Sequence, residues 1–573
     1  MSSAKHNPQR SLFSVLVTNA PNRVFVSLVL GTIAGLAYSL IIPLILLSLQ
    51  PSPQRLLTPQ DSAPVHFAGY EVLTPRFALA FLGVCLFVLA TRVTSEALLV
   101  RVTTDAMVEL RKSLYRRIAE APIQALERVG ASRLLSALTT DVPKVVAGAA
   151  LLPSIFISVA TVVGLLGYLI YLNRDIFVFV MAAIAVGILS YRIPFFLGDR
   201  WYAKARARFD HLQEGMRGLI LGAKELKLDR GKRESFLAHE LFGHESLYAH
   251  AQKRGDTLMT FAVGYGDLIS FFVIGLVTYA LANHYGLRTE HTVGVVMALL
   301  YISSPLGVIL NAIAPAMNGA VSLRRVTVLL DELPVERSWQ QAGRVDCQEL
   351  TLRGVVYSHP APRHEQRGFQ VGPVDLVLRR GEVAFIVGGN GSGKTTLGKL
   401  ISLHYLPDSG VICFDGKPVT DHNREQCRQS VGAIYSDFHL FERLFLDQQR
   451  LAAAQPVIER YLAELALDDK VAIEAGRFST LALSDGQRRR LALLVTLLDE
   501  RSIYVFDEWA ADQDPQSREA FYSSILPRLK RMGKMVVVIS HDDRYFPKAD
   551  RVVRMADGRL VSETGSRAAA ATL

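Results

Sequence analysis

The sequence predicts a chain in two parts. Residues 1–330 read as an all-α membrane bundle of six helices, and residues 345–565 as a soluble α/β domain. Three observations carry this. Half of the 573 residues are hydrophobic and mean hydropathy is positive. Every apolar run long enough to cross a bilayer lies before residue 330. After it the pattern changes to short apolar strands, helices and Gly-rich turns, one of which is GGNGSGKT. Such a length also favours more than one domain.

A bilayer core needs about 20 apolar residues in helical form. Runs that meet this fall at about 24–49, 77–100, 146–172, 176–197, 258–282 and 293–317. The polar, basic start reads as no cleavable signal, because the apolar run behind it is too long for a signal core. Only Asn173, Arg174 and Asp175 separate the third run from the fourth, so these two form a hairpin. The Pro-rich stretch from Gln50 to Arg76 is expected outside.

The two long connections, after runs two and four, hold most of the membrane half's Lys and Arg. Cytoplasmic loops carry an excess of Lys and Arg. Both connections, both termini and the soluble half are therefore expected in the cytoplasm of a bacterium, with the helices in its inner membrane. This placement accounts for the net charge of +10 through anionic lipid, with no nucleic acid as partner. Each connection reads as amphipathic helix with a break, at Pro122 and Gly130 in the first and at Gly218 and Gly222 in the second. Segments 123–129 and 217–227 are expected to cross there and touch the soluble half. Arg92 and Glu96, one turn apart in run two, read either as a self-neutralising pair or as functional groups, and Asp267 as facing a central cavity. The cysteines are scattered without a CxxC pair, which argues against a disulfide framework or zinc site.

In the soluble half, Gly388-Gly389-Asn390-Gly391-Ser392-Gly393-Lys394-Thr395 fits G-x-x-x-x-G-K-[ST]. It follows the apolar run Val383 to Val387 and precedes a helical stretch from Thr396, the strand–loop–helix context the motif needs. Backbone N–H groups of such a loop curl around phosphate oxygens at the positive end of a helix. Lys394 is expected on the terminal phosphates of ATP, and Thr395 on Mg²⁺. SIYVF, residues 502–506, reads as a second buried strand beside the one feeding this loop. It delivers Asp507 for Mg²⁺ and Glu508 as general base for water. Ser484 and Gln487 have capping-box spacing at the start of a helix.

Taken with the phosphate loop, Leu483-Ser484-Asp485-Gly486-Gln487 resembles the signature of ABC ATPases, and Ser540-His541 their switch histidine. Six spans followed by one such domain resembles an ABC exporter half-transporter. DEWAADQDP, SHDDRYF and Tyr435-Ser436-Asp437-Phe438-His439-Leu440-Phe441 resemble the cyclic-peptide exporter branch, whose members move siderophore precursors, lipopeptides or lasso peptides. The resemblance implies a homodimer, in which each ATP lies between Lys394 of one copy and Ser484, Gly486 and Gln487 of the other. It also implies catalytic roles for Glu508, His541 and Lys394, with Asp512 and Asp514 in the loop between the sites. Ser436 stands where the family usually has a Gln that reaches Mg²⁺, so either Ser436 through water or Asp437 fills that role. Tyr357 and His359 are both candidates for stacking on adenine. The cargo implied is a small peptide-like molecule, with membrane lipids as surroundings.

Overall fold

The computed structural model describes residues 20–49, 65–67, 70–72, 75–336, 343–360 and 368–565, together with Ser14 and Val17. Among these residues the chain forms two units. One takes residues up to 114 and 135–329; the other takes 115–134 and everything from 330 onward.

Six helical spans lie in or start from the first unit: Pro21–Leu46, Ala78–Ala119, Ala131–Leu172, Arg174–Leu221, Arg230–His284 and Thr289–Glu332, with 115–119, 131–134 and 330–332 counted in the second. Hydropathy reports only the apolar part of each. The helix Pro75–Ala119 has 45 residues, about 68 Å at 1.5 Å per residue, against a hydrocarbon layer of about 30 Å. Its polar half continues past the apolar half without interruption, as the amphipathic reading anticipates.

The first span bends at Leu40, between helices Pro21–Ser39 and Ile41–Leu49. Pro43 has no N–H to give, so the ladder is interrupted there. Small residues bring the first three spans together. A Cβ on Gly35 would lie 2.5 Å from the Ile157 carbonyl, and one on Gly164 would lie 2.4 Å from Ser39 Oγ. Ser27 and Ser95 each donate to the other's backbone carbonyl, at 2.8 and 2.7 Å. Close approach and interhelical hydrogen bonds replace the hydrophobic drive that lipid does not supply. Between the first two spans the described residues form a short antiparallel hairpin, Val65–Phe67 with Tyr70–Val72. The other residues of 50–74, like most of the first 19, lie outside the described residues, and Pro75 and Arg76, expected in this loop, begin the second helix.

The breaks in the long connections fall largely where the sequence puts them. Pro122 starts the short helix Ile123–Val129, and Gly130, at φ +83°, ends it. In the second connection Gly222 ends the fourth span, and the short helix Ala223–Leu228 follows. Gly218 is not a break. It sits inside the long helix and accepts from the Gly222 N–H at 2.8 Å; a Cβ there would meet the Phe236 ring at 3.3 Å. Its glycine serves close packing.

The second unit is built on a six-stranded sheet and a smaller antiparallel one. In chain order its main elements are β1 (Glu349–Ser358), β2 (Gln370–Arg379), β3 (Val383–Val387), α1 (Lys394–Ile401), β4 (Ser409–Phe414), β5 (Val431–Ile434), α2 (Gln448–Glu464), α3 (Asp485–Leu498), β6 (Ile503–Asp507), β7 (Met535–Ile539), β8 (Arg551–Ala556) and β9 (Arg559–Gly565). The large sheet runs β9-β8-β3-β7-β6-β5, parallel except for the edge strand β9. β7 therefore lies between β3 and β6, and SIYVF is not beside the strand that feeds the phosphate loop. The crossovers decide this order, because β3, β6 and β7 are all fully buried, as strands of a parallel sheet covered on both faces are, and burial does not tell them apart. The period of two divides the core. Phe385, Tyr504, Phe506 and Val538 face α2 and α3, while Ile386, Val505, Val537 and Ile539 face α1 and the β1–β2–β4 sheet.

Candidate active site

β3, β5, β6 and β7 all run the same way, so their carboxyl ends collect on one edge of the sheet, where ligands of parallel sheets bind. Each end delivers one part. From β3 comes the phosphate loop. Gly388 (φ +152°) passes so close to β8 that a Cβ would lie 2.2 Å from the Met555 carbonyl, and Gly393 takes the left-handed conformation at φ +98°. Gly389, Asn390 and Gly391 form the exposed arc of the loop, and Ser392 is buried. Lys394, 6% exposed, folds its ammonium onto the Gly388 and Gly389 carbonyls at 2.9 and 2.8 Å. Thr395 opens α1 and is exposed.

From β6 come Asp507 and Glu508. Asp507 is 2% exposed and hydrogen-bonds Thr395, and its Oδ1 has no protein partner among the described residues. Burial pushes its pKa up; the Thr395 bond opposes this, and neighbouring Glu508 adds to it. A buried carboxylate oxygen without a donor, next to a threonine hydroxyl and the phosphate loop, suits a divalent cation that bridges protein and phosphate. Asp507 and Thr395 thus fit Mg²⁺. Glu508 has φ +51°, a conformation rare for a side-chain-bearing residue and frequent at functional sites.

From β7 come Ser540 and His541. The His541 imidazole Nδ1 lies 3.8 Å from a Glu508 carboxylate oxygen. Ser540 Oγ meets the Tyr522 hydroxyl at 3.0 Å and accepts from the Asp542 N–H at 3.1 Å, which fixes the turn that carries the histidine. Tyr435 follows the end of β5; its hydroxyl meets Ser402 Oγ at 2.6 Å, and the next two residues, Ser436 and Asp437, are both exposed.

The strain at Glu508 is held by Trp509 and Asp512 of DEWAADQDP together with Arg489, which lies outside the motifs. Arg489 of α3 donates to the Glu508 carbonyl at 2.8 Å and pairs with Asp512 at 2.6 Å. The Trp509 indole N–H donates to the Arg489 carbonyl at 2.9 Å, and its ring stacks on Phe521 at 4.4 Å. Trp509 and Arg489 thereby tie the start of α3 to the loop of Glu508. Nothing in a run of three arginines, 488–490, signals that one turns inward.

Ser484 caps α3 with a complete capping box: the Gln487 N–H donates to Ser484 Oγ, and the Ser484 N–H donates to Gln487 Oε1. The Gly486 carbonyl accepts from Gln513 at 3.2 Å. Among the described residues no hydrogen bond joins Ser484, Gly486 or Gln487 to the phosphate loop. Asp514 caps the helix Pro515–Ala520.

Of the two rings expected near adenine, Tyr357 is turned inward. It is 6% exposed and covered by Tyr405, with ring centroids 4.7 Å apart. Strand alternation puts residue 357 on the core face, so its ring has no free face for a ligand. His359, past the end of β1, is half-buried. Its Nε2 lies 3.0 Å from Thr396 Oγ1 and its ring edge meets Tyr357. Burial lowers its pKa, which keeps the imidazole neutral near pH 7. Exposed Phe369 lies 6.3 Å from it, a second ring that the sequence did not single out.

The first short crossing helix belongs to this unit. Glu127 accepts from Lys399 at 2.7 Å and from the Tyr405 hydroxyl at 2.6 Å, and Ile123 packs on the apolar cluster behind α1. Burial and the Glu127 carboxylate together keep the Tyr405 hydroxyl protonated.

Comparison with known proteins agrees with this geometry. Residues 371–511 match the ABC transporter family model and residues 24–193 match the ABC transporter transmembrane region. Over 469 residues the chain is 34% identical to the ATP-binding protein SyrD of Pseudomonas syringae pv. syringae, covering 80% of this chain and 82% of that protein. The chain belongs to the ABC transporter family. This ABC transporter is an exporter half-transporter, a membrane domain of six helices fused to a phosphate-loop ATPase, and it couples ATP hydrolysis to transport. It also resembles ATP-dependent lipid A-core flippases, at 26% identity, from Burkholderia orbicola (strain AU 1054), over 85% of this chain and 82% of that one, and from Dechloromonas aromatica (strain RCB), over 86% and 85%.

Proposed function

We propose that this transporter works as a homodimer in the bacterial inner membrane and exports a cyclic or otherwise modified peptide, with its ATPase domain and both termini in the cytoplasm. The loop cations support the orientation. The dimer rests on α3: its capped start, with Ser484, Gly486 and Gln487, makes no hydrogen bond to its own phosphate loop among the described residues, and a second copy would close each site.

Lys394 and the loop N–H groups hold the terminal phosphates. Thr395 and Asp507 would hold Mg²⁺, with Ser436 or Asp437 beside them, and the ion would supply positive charge next to the terminal phosphates. His359, with Phe369 near it, offers the ring face for adenine. Glu508 orients the attacking water and takes its proton, and His541 holds the carboxylate from the other side. The observation that carries the hydrolytic assignment is the convergence of Asp507, Glu508 and His541 at adjacent strand ends, with a partnerless Asp507 oxygen.

The peptide cargo rests on DEWAADQDP and SHDDRYF, the strings that resemble the cyclic-peptide exporter branch. A second reading, export of a lipid or other hydrophobic molecule, is favoured by the flippase relatives. The test uses protein in liposomes. Glu508→Gln should bind ATP and lose at least about a hundredfold in turnover, and cyclic peptides should stimulate the wild type and be carried out of the cytoplasmic side. A Glu508→Gln variant with wild-type turnover refutes the base, and stimulation by lipid alone replaces the peptide reading.

A further inference from the structure

Arg92 lies 14 residues into the second span, counted from Ala78. At 1.5 Å per residue that is about 21 Å, well inside the hydrocarbon layer if the span starts at its edge. A charge at this depth is costly and needs a partner or water. Its partner is Glu96, with Arg92 Nε 3.0 Å from a carboxylate oxygen.

A pair that serves only the fold is expected to be packed away, with its remaining donors and acceptors satisfied. This one is not. The side chains are 56% and 44% exposed. A guanidinium has five N–H donors, and among the described residues the only hydrogen bond of Arg92 is the one to Glu96. Both groups line an open cavity of about 420 Å³ whose wall comes from the first, second, third and sixth spans. Tyr38, Tyr301 and Ser304 add hydroxyls to its wall, and the Tyr38 and Tyr301 rings approach to 5.9 Å. Pro305, also in the wall, has no N–H, so the Tyr301 carbonyl four residues back lacks its helical partner.

We infer that this cavity is the polar end of the cargo site and takes a peptide segment that carries both a carboxylate and a cation. The inference rests on the peptide-export reading and narrows its substrate class. Arg92 meets the carboxylate of the cargo, Glu96 meets its ammonium or amide N–H, and the hydroxyls and the freed carbonyl serve peptide groups. The two protein charges cancel. A polyanionic headgroup would meet one cation and, four residues on, a carboxylate that repels it.

The experiment uses full-length protein in liposomes and three cyclic octapeptides of equal apolar content: one with an Asp and a Lys, one with two Asp, one uncharged. ATPase stimulation is read against peptide concentration. The Asp/Lys peptide should reach half-maximal stimulation at a concentration about tenfold below the other two, the worth of one charge-assisted hydrogen bond. Arg92→Met should erase that preference, and Glu96→Gln should favour the two-Asp peptide. The exchange Arg92→Glu with Glu96→Arg keeps the pair and controls for folding; it should retain the Asp/Lys preference. An unchanged peptide ranking in the single variants overturns the assignment of the cavity while export of peptides stands. Absence of stimulation by every peptide, with ATPase intact, overturns the peptide reading and this inference with it.

Discussion

Replacing Asp507 by Asn should make the empty protein more stable and the loaded protein less so. Asp507 is 2% exposed, and one of its carboxylate oxygens has no donor. Leaving a buried polar group unsatisfied costs about 1–3 kcal/mol. Asn keeps the shape, can still accept from Thr395, and removes the charge. A gain of about 1–2 kcal/mol corresponds to a rise of about 2–8 °C in a domain of this size. With Mg²⁺-ATP at a hundred times its dissociation constant, the wild type should gain about 2.7 kcal/mol. The variant should gain no more from Mg²⁺-ATP than from ATP in EDTA.

Thermal unfolding of the full chain, with and without nucleotide, reads both effects. The sign with pH follows from the raised pKa. Below the unfolded Asp value, about 3.9, both states bind the proton and the wild type carries no penalty. The penalty appears as pH rises through the folded value. The advantage of the variant without nucleotide should therefore be present at pH 7 and shrink on acidification. A variant that melts lower when empty, or that keeps a Mg²⁺-dependent shift, would refute the reasoning.

Three further substitutions test the surroundings. Trp509→Phe keeps the stack on Phe521 and deletes the hydrogen bond to Arg489; kcat should fall about three- to tenfold with KM little changed, because Glu508 is held less firmly. Glu127→Ala removes both hydrogen bonds of the first crossing helix to α1 and Tyr405; ATPase activity should persist while transport per ATP falls about tenfold, measured in the same vesicles. His359→Ala should raise KM for ATP about three- to tenfold, whereas Tyr357→Phe should leave it unchanged because that ring faces the core.

The sequence makes the chemistry legible where backbone geometry forces residue choice. GGNGSGKT, the acids after SIYVF and the Ser484–Gln487 box each declare their local structure. Long-range order is not written that way. The place of β7 between β3 and β6 depends on crossovers, and MVVVI looks much like VAFIV. The facing of Tyr357 hangs on one step of strand phase, which β1 obscures with irregular pairing along its length. The inward turn of Arg489 needs Glu508 and Asp512, 19 and 23 positions away. Asp267 is in helix, but its side chain lies outside the described residues, so its expected cavity-facing role has no structural counterpart.

The bond between Glu127 and Lys399 spans 272 positions of chain. At about 5–20 residues per second of synthesis, the ribosome needs about 14–54 s to make the second partner after the first. For that interval Ile123 and Glu127 have no partner surface from their own unit. The nascent protein therefore waits, its bilayer portion already made, with a bare loop whose Ile123 and Glu127 are available to chaperones or proteases, and maturation ends when the late-made half closes over an early-made segment.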